Sequence, residues 1–379
     1  MRARAPRSHR APTIRVTSIA AVLTILLGGC GGLRLNMVDS AYQRPSNVAV
    51  YFTVDTATGD PVAGLTADDF RIYEDGSLVS IAESQQTIVN PEVAAEHYTL
   101  LLIDMSGSVS ESDQVPLIEE AAQEFTTRLE DHQKVGVYVF DGSEDIHVIT
   151  PFTRSEGAAS AGAGRVSSYH ARDPSTNLHG AVVAAIGELD TALERSRVPL
   201  RFGTIVVFTD GTDRAARVSA RDMRDAIDQS PYDFFAIGVG DEISEGVLGD
   251  VGREGYVMVA DRGAIRAAFA QVSQRIVRMT QRYYLLSYCS PARAGTHVVS
   301  VEALSEGSSG RLSYEFDAAG FGPDCNPNRP PPFSTSSPQS LRARDRASRG
   351  QRIEVRATAP SARVTVSSGG TGNPEDGAQ

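Results

Sequence analysis

"YTLLLIDMSGSVS", residues 98–110, runs a continuous apolar stretch into an abrupt polar end. Leu100, Leu101, Leu102 and Ile103 leave no polar face, the pattern of a strand covered on both sides, as in a parallel sheet. Asp104, Ser106 and Ser108 then follow at alternate positions, with Gly107 among them. Carboxylate and hydroxyl oxygens at the mouth of a buried strand are either turn formers or ligands. Partners elsewhere in the chain decide between the two.

The next residues repeat the strand signal at intervals. "KVGVYVFDG" (134–142), "FGTIVVFTDG" (202–211), "YDFFAIGVGD" (232–241) and "GYVMVA" (255–260) are strand-like, with "HVITPFT" (147–153) a shorter one. Between them lie helical patterns. Leu117, Ile118, Ala121, Ala122, Phe125 and Leu129 share one side of "DQVPLIEEAAQEFTTRLED" (113–131). Residues 177–196, 219–230, 244–252 and 262–282 read as further helices. Strands alternating with helices predict an α/β fold: a Rossmann-like, open, mostly parallel sheet with helices on both faces. Such sheets take ligands at the carboxyl ends of their strands.

Three segments then end on the same predicted rim: Asp104, Ser106 and Ser108 after the first strand, Thr176 before the helix starting near 177, and Asp210 after "VVFT". Singly, each has a plainer role, Asp104 and Asp210 as caps, the serines as turn residues, Thr176 as a helix N-cap. Together, in this order, they resemble the metal-ion-dependent adhesion site of von Willebrand factor type A domains, over about residues 98–282. "IGVGDE" followed by "GYVMVADRGAIRAAF" is similar to the closing part of that family.

The resemblance implies direct ligation by Ser106 and Ser108, water-mediated contact from Asp104 and Asp210, and ligation by Thr176 in the high-affinity form. It implies Mg²⁺, with Mn²⁺ or Ca²⁺ as alternatives, and a protein partner whose Asp or Glu completes the coordination. The donor chemistry agrees, since a hard cation prefers oxygen ligands and keeps some water. Among other polar groups, Asp141, Glu144 and Asp145 are expected to form a solvated acidic loop, and Asp213 and Asp241 to lie near the rim. His147, His170, His179 and His297 have no metal-ligand spacing.

Flanking this region the pattern is all-β. "NVAVYFTVD" (47–55) is expected to be a half-buried strand, "GLTADDF" (64–70) a turn capped by Thr66, and residues 70–84 two strands joined at Asp75-Gly76. "YYLLSYC" (283–289), "THVVSVEAL" (296–304) and "RLSYEFD" (311–317) follow the last helix. About 45 residues before and about 35 after are each too few for a β-sandwich of roughly 100. The two segments are therefore predicted to pair into one small all-β sandwich with the α/β domain inserted. "GLTADDFRIYEDG" (64–76) also resembles the opening of other bacterial proteins that carry this domain after a β module.

The N-terminus is a processing signal. Arg2, Arg4, Arg7, Arg10 and Arg15 precede the apolar "VTSIAAVLTILLGG" (16–29), too short for a spanning helix. Leu27-Gly28-Gly29-Cys30 resembles a bacterial lipobox, which implies a lipid anchor on Cys30, membrane attachment and a place in the cell envelope; Gly31, where an aspartate often retains such proteins, points to the outer membrane. Of three cysteines, Cys289 and Cys325 then remain. In an oxidising compartment they form a disulfide, worth about 3 to 4 kcal/mol by loop entropy, or stay as two thiols.

The expected layout is a signal peptide (1–29), anchor and tether (30–46), sandwich segment 1 (47–95), type A domain (96–282), sandwich segment 2 (283–325) and a Pro-, Ser- and Gly-rich, largely disordered tail (326–379), within which 351–368 alternates enough for a hairpin. The net charge of −11 disfavours nucleic acid. The chain has no G-x-S-x-G, H-E-x-x-H or P-loop motif and a single lysine, Lys134, so no catalysis and no small-molecule substrate are expected. Two roles remain: a cation-dependent protein-binding module on the envelope, and an envelope scaffold or assembly lipoprotein in which the metal is structural.

Overall fold

The computed structural model describes residues 32–89, 91–155 and 157–334, and the backbone of 353–357. The expected signal peptide and Cys30 lie outside the described residues. In chain order the elements are β1 (Arg34–Gln43), β2 (Asn47–Asp55), β3 (Phe70–Glu74), β4 (Ser77–Leu78), α1 (Ile81–Ser84), β5 (Thr87–Val89), β6 (Ala95–Asp104), α2 (Gly107–Ser110), α3 (Val115–Glu130), β7 (Lys134–Phe140), β8 (His147–Thr153), α4 (Ala158–Ala163), α5 (Leu178–Glu194), β9 (Leu200–Thr209), α6 (Ala220–Gln229), β10 (Asp233–Val239), α7 (Glu245–Val251), β11 (Gly255–Val259), α8 (Ile265–Gln281), β12 (Tyr283–Cys289), β13 (Thr296–Ser305), β14 (Ser308–Asp317) and β15 (Ile353–Ala357). Among the described residues, no helix is long and apolar enough to cross a membrane.

The central sheet runs β15-β11-β10-β9-β6-β7-β8. Every pairing is parallel except β7 with β8, which closes one edge antiparallel. Successive side chains of a strand point to opposite faces. Leu101, Ile103, Val206, Phe208 and Ile237 therefore meet α3 and α8 through Ile118, Phe125, Phe269 and Val272. Leu100, Leu102, Ile205, Val207 and Ala236 meet α5, α6 and α7 on the other face through Val182, Leu189, Met223 and Leu248. Burial on both sides is why these strands read as unbroken apolar runs. The chain leaves β6 toward β7 on one side, and β9 lies on the other, so the strand order reverses between β6 and β9. Sheets of this kind bind ligands at that crevice.

Two antiparallel sheets, β1-β2-β12-β5 and β14-β13-β3-β4, form the sandwich. Each contains strands from before and after the α/β region: β2 pairs with β12, and β3 with β13. Phe52, Phe70, Ile72, Leu286, Val299, Val301 and Phe316 fill the space between them. The Asp75-Gly76 turn has left-handed dihedrals at both positions, φ 49° and 81°, as a two-residue hairpin requires. The insertion has no linker at its exit: α8 ends at Gln281, and β12 starts at Tyr283.

Four expectations are corrected. Residues 34–43, assigned to a tether, form β1, paired with β2 from Arg34 opposite Asp55 to Gln43 opposite Asn47. A bulge between Met37 and Asp39 shifts the register, which breaks the alternation that would have marked a strand. β2 is buried along its whole length, Thr53 and Asp55 included, because the outer face of its sheet covers the base of the α/β domain. There Ala49, Tyr51, Tyr283 and Leu285 pack on Ala95 and Leu200. The last helical segment begins as a 3-10 turn, 262–264, before α8. Within the expected tail, residues 326–334 pack on the sandwich. Asn47 donates to the carbonyls of Asn326 (2.6 Å) and Arg329 (2.8 Å), and Phe333 is buried against Tyr51. In the expected hairpin at 351–368 only β15 is described, and it pairs in parallel with β11. Cys289 and Cys325 are joined by a disulfide.

Candidate metal centre

The site is built where β6 and β9 end. Asp104 is the last residue of β6 and fully buried. Its Oδ1 accepts from the Ser106 amide (2.9 Å) and its Oδ2 from the Thr209 hydroxyl (2.7 Å). Those two bonds fix the turn after β6 against the end of β9. Ser106 Oγ lies 3.4 Å from Ser108 Oγ, and Ser108 Oγ donates to Asp210 Oδ1 at 3.0 Å. Gly107 donates its amide to the Pro174 carbonyl at 2.9 Å, which draws in the loop that carries Thr176. A side chain at 107 would press on Pro174, with a Cβ 3.0 Å from its ring, so the close approach requires glycine. A methyl group on Gly211 would stand 3.8 Å from Thr176 Oγ1. The Thr176 carbonyl accepts from the amides of Arg214 and Ala215, 2.9 and 3.0 Å. Asp104, Ser106, Ser108, Thr176 and Asp210 thus converge on one rim.

Thr176 is 4% exposed, and its hydroxyl has no hydrogen-bond partner among the described residues. It is not the cap of α5 either. Asn177 takes that position, its side-chain oxygen accepting from Gly180. The plainer role for Thr176 is therefore filled by its neighbour.

The donor set fits a small hard cation. Oxygens about 2.1 Å from a six-coordinate Mg²⁺ stand about 3.0 Å apart along an octahedral edge. The Ser106–Ser108 separation, 3.4 Å, is close to such an edge. Burial pushes the Asp104 carboxyl up to about 6, although Thr209 and Ser106 bond to its ionised form, and Asp210 adds like-charge repulsion. Burial also raises Asp210, against the bond from Ser108, with Glu242 adding repulsion and Arg262 opposing it. Two desolvated carboxylates on one rim favour a positive charge between them. Among the described residues no three His, Cys, Asp or Glu side chains form a metal-ligand group, so a cation here would rest on hydroxyls, two carboxylates and water.

The second ring of residues was less legible. Asp141 does not belong to a solvated loop; it is buried at the end of β7. Its Oδ1 accepts from the Ser143 amide (2.7 Å), and its Oδ2 from Tyr169 (2.8 Å) and the Arg172 amide (2.6 Å), while its carbonyl accepts from Asn177. It holds the 169–177 loop in place for Thr176. Burial pushes its carboxyl up, but these bonds outweigh burial and hold it at about 2. Asp213 accepts from the amides of His179 (2.9 Å) and Ala216 (2.8 Å), fixing the start of α5. Glu144 and Asp145 are solvent-facing, as is Asp241 beyond β10. Thr209 was missed. It closes a strand, and nothing local tells a strand-end threonine from one that grips a carboxylate across the sheet.

Comparison with known proteins agrees on the module. Residues 99–212 match the family model described as the von Willebrand factor type A domain. A search of curated proteins found no match. Similar solved structures include von Willebrand factor type A from Catenulispora acidiphila, 12% identical, TM-score 0.40, over 77% of this chain and 75% of that one. Another is the vWF domain of the type V pili tip protein Mfa5 from Porphyromonas gingivalis, 12% identical, TM-score 0.39, over 50% of this chain and 98% of that one. A third is proximal thread matrix protein 1 from the mussel byssus with a zinc-occupied MIDAS motif, 13% identical, TM-score 0.41, over 48% of each chain. The α/β module of this chain thus has the von Willebrand factor type A fold, and residues 99–212 of it match that domain in sequence.

Proposed function

We propose that this protein is a cell-envelope lipoprotein whose type A domain binds a protein partner through a divalent cation. The cation rests on Ser106, Ser108 and Thr176, with Asp104 and Asp210 contributing through water, and a carboxylate of the partner completes the coordination. Oxygen donors suit Mg²⁺, Mn²⁺ and Ca²⁺ alike, and Mg²⁺ is proposed on its abundance. The lipobox-like Leu27-Gly28-Gly29-Cys30 supports anchoring through Cys30, at the outer membrane. No enzymatic role is proposed.

The observation that carries this reading is the meeting of five oxygen-bearing side chains from three separate segments at the point where strand order reverses. The scaffold alternative makes the metal a staple for the loops. The loops are already stapled by Asp104 to Thr209, Ser108 to Asp210 and Gly107 to Pro174, which favours recognition over scaffolding.

The test is a pull-down from envelope extract with and without EDTA, with Asp104→Ala as the negative control and Thr176→Ala as the discriminating variant. Recognition predicts partner capture that EDTA and both substitutions abolish, with the Thr176→Ala melting temperature unchanged. A lower melting temperature in Thr176→Ala with capture intact would support the scaffold instead.

A further inference from the structure

A half-open cavity of about 490 Å³ lies at the opposite end of the α/β domain from the cation rim, at its junction with the sandwich. Its walls come from both modules. Ile88, Tyr283 and Tyr284 belong to the sandwich, and Ala95 and His97 to the start of β6. Junctions of this kind are where small-molecule sites form, and the volume lies in the range of such sites.

Several polar groups of this cavity are satisfied, and two imidazoles, His97 and His132, line it. The Tyr284 hydroxyl donates to the Val62 carbonyl (2.9 Å) and accepts from the Leu65 amide (3.2 Å). Glu92 is paired with Arg154 at 2.8 Å. Thr280 donates back to Ile276 within α8. His97 differs. Its ring stacks on Phe202, with centroids 4.8 Å apart and planes 17° apart, and meets Tyr283 at 5.2 Å. Neither of its ring nitrogens has a hydrogen-bond partner among the described residues. Burial, together with the charges of Arg282 and Arg154, holds it down at about 3, so the imidazole is neutral and offers one donor and one acceptor.

We infer that this cavity is a binding site for an uncharged, flat, mostly apolar molecule of about two rings, oriented by one hydrogen bond to His97. Aromatic walls suit stacking. With Glu92 and Arg154 already paired, a charged ligand would be desolvated without compensation. The site is separate from the cation rim and does not depend on it.

The test uses residues 31–379, which contain all the described residues, secreted so that the Cys289–Cys325 disulfide forms, in buffer with EDTA. The probe is the neutral two-ring amine 1-naphthylamine, read by its fluorescence. The expected result is saturable binding of one probe per chain. His97→Phe, which keeps the stacking and deletes the hydrogen bond, weakens it roughly tenfold. Ala63→Trp, on an exposed loop at the mouth, abolishes it. Unchanged far-ultraviolet circular dichroism shows that both variants are folded. Binding that does not saturate, or that His97→Phe or Ala63→Trp leaves within twofold, overturns the inference.

Discussion

At the scale of the residue, spacing exposed the atoms that would touch a cation and hid those that aim them. Asp104, Ser106 and Ser108 stand out because hydroxyls and a carboxylate interrupt an apolar run at alternate positions. Thr176 and Asp210 stand out only by their order relative to that motif. Thr209 and Asp141 carry no such mark, since their partners come from other segments of the chain. Asp141 gives a direct test. Its carboxyl is held below the ordinary carboxylate range, so its ionised form stabilises the fold above about pH 4, and that stability is lost as pH falls toward about 2. Asp141→Asn should destabilise the protein by about 2 kcal/mol at neutral pH, because a buried cluster of donors loses its anion. In paired chemical denaturations at pH 7, 4 and 2, the gap between wild type and variant should hold from 7 to 4 and shrink from 4 to 2. A gap constant down to pH 2 would mean that the charge on Asp141 does not organise the loop.

At the scale of the element, burial on both faces made β6, β7, β9, β10 and β11 plain in the sequence. The same cue misled at β2, where Asn47, Thr53 and Asp55 suggested a polar face. Those residues are buried with a partner each: Asn47 holds the tail, Thr53 accepts from the Asn36 side chain, and Asp55 holds Arg282. The Asp55–Arg282 pair (3.1 Å, both side chains buried) ties β2 to the junction of α8 and β12. Removing Asp55 takes a carboxylate away from a buried guanidinium. Asp55→Ala should therefore cost about 3 to 5 kcal/mol in urea unfolding. Glu242, whose contact with Arg214 is 2.6 Å with both side chains more than half exposed, provides the contrast. Glu242→Ala should cost less than about 1 kcal/mol. Equal losses at the two positions would show that the buried pair does not fix the α8 exit.

At the scale of the whole molecule, segment lengths alone indicated that the two flanking β regions must combine, since neither could enclose a core. The interleaving of β2 with β12 and β3 with β13 meets that requirement. What lengths could not show is the third layer, in which the outer face of the sandwich seals the base of the α/β domain through Tyr51, Tyr283 and Leu200. The Cys289–Cys325 disulfide pins the end of β12 to the segment leading to Phe333. The double variant Cys289→Ser/Cys325→Ser should lose about 3 to 4 kcal/mol in unfolding free energy. Its cation binding at 25 °C should match wild type, because the bond lies in the sandwich rather than at the β6–β9 rim. Weakened cation binding in a folded double variant would show that the sandwich sets the geometry of the rim.

Cation-dependent binding requires one small cluster of oxygens to accept a divalent ion. Calorimetric titration of Mg²⁺ and Mn²⁺ into residues 31–379, wild type beside Ser106→Ala/Ser108→Ala, tests it most directly. The prediction is one ion per chain in the wild type and an affinity at least tenfold weaker in the double variant, with its melting temperature in EDTA within a few degrees of wild type. No saturable binding by the wild type, or equal affinity in both proteins, would contradict it.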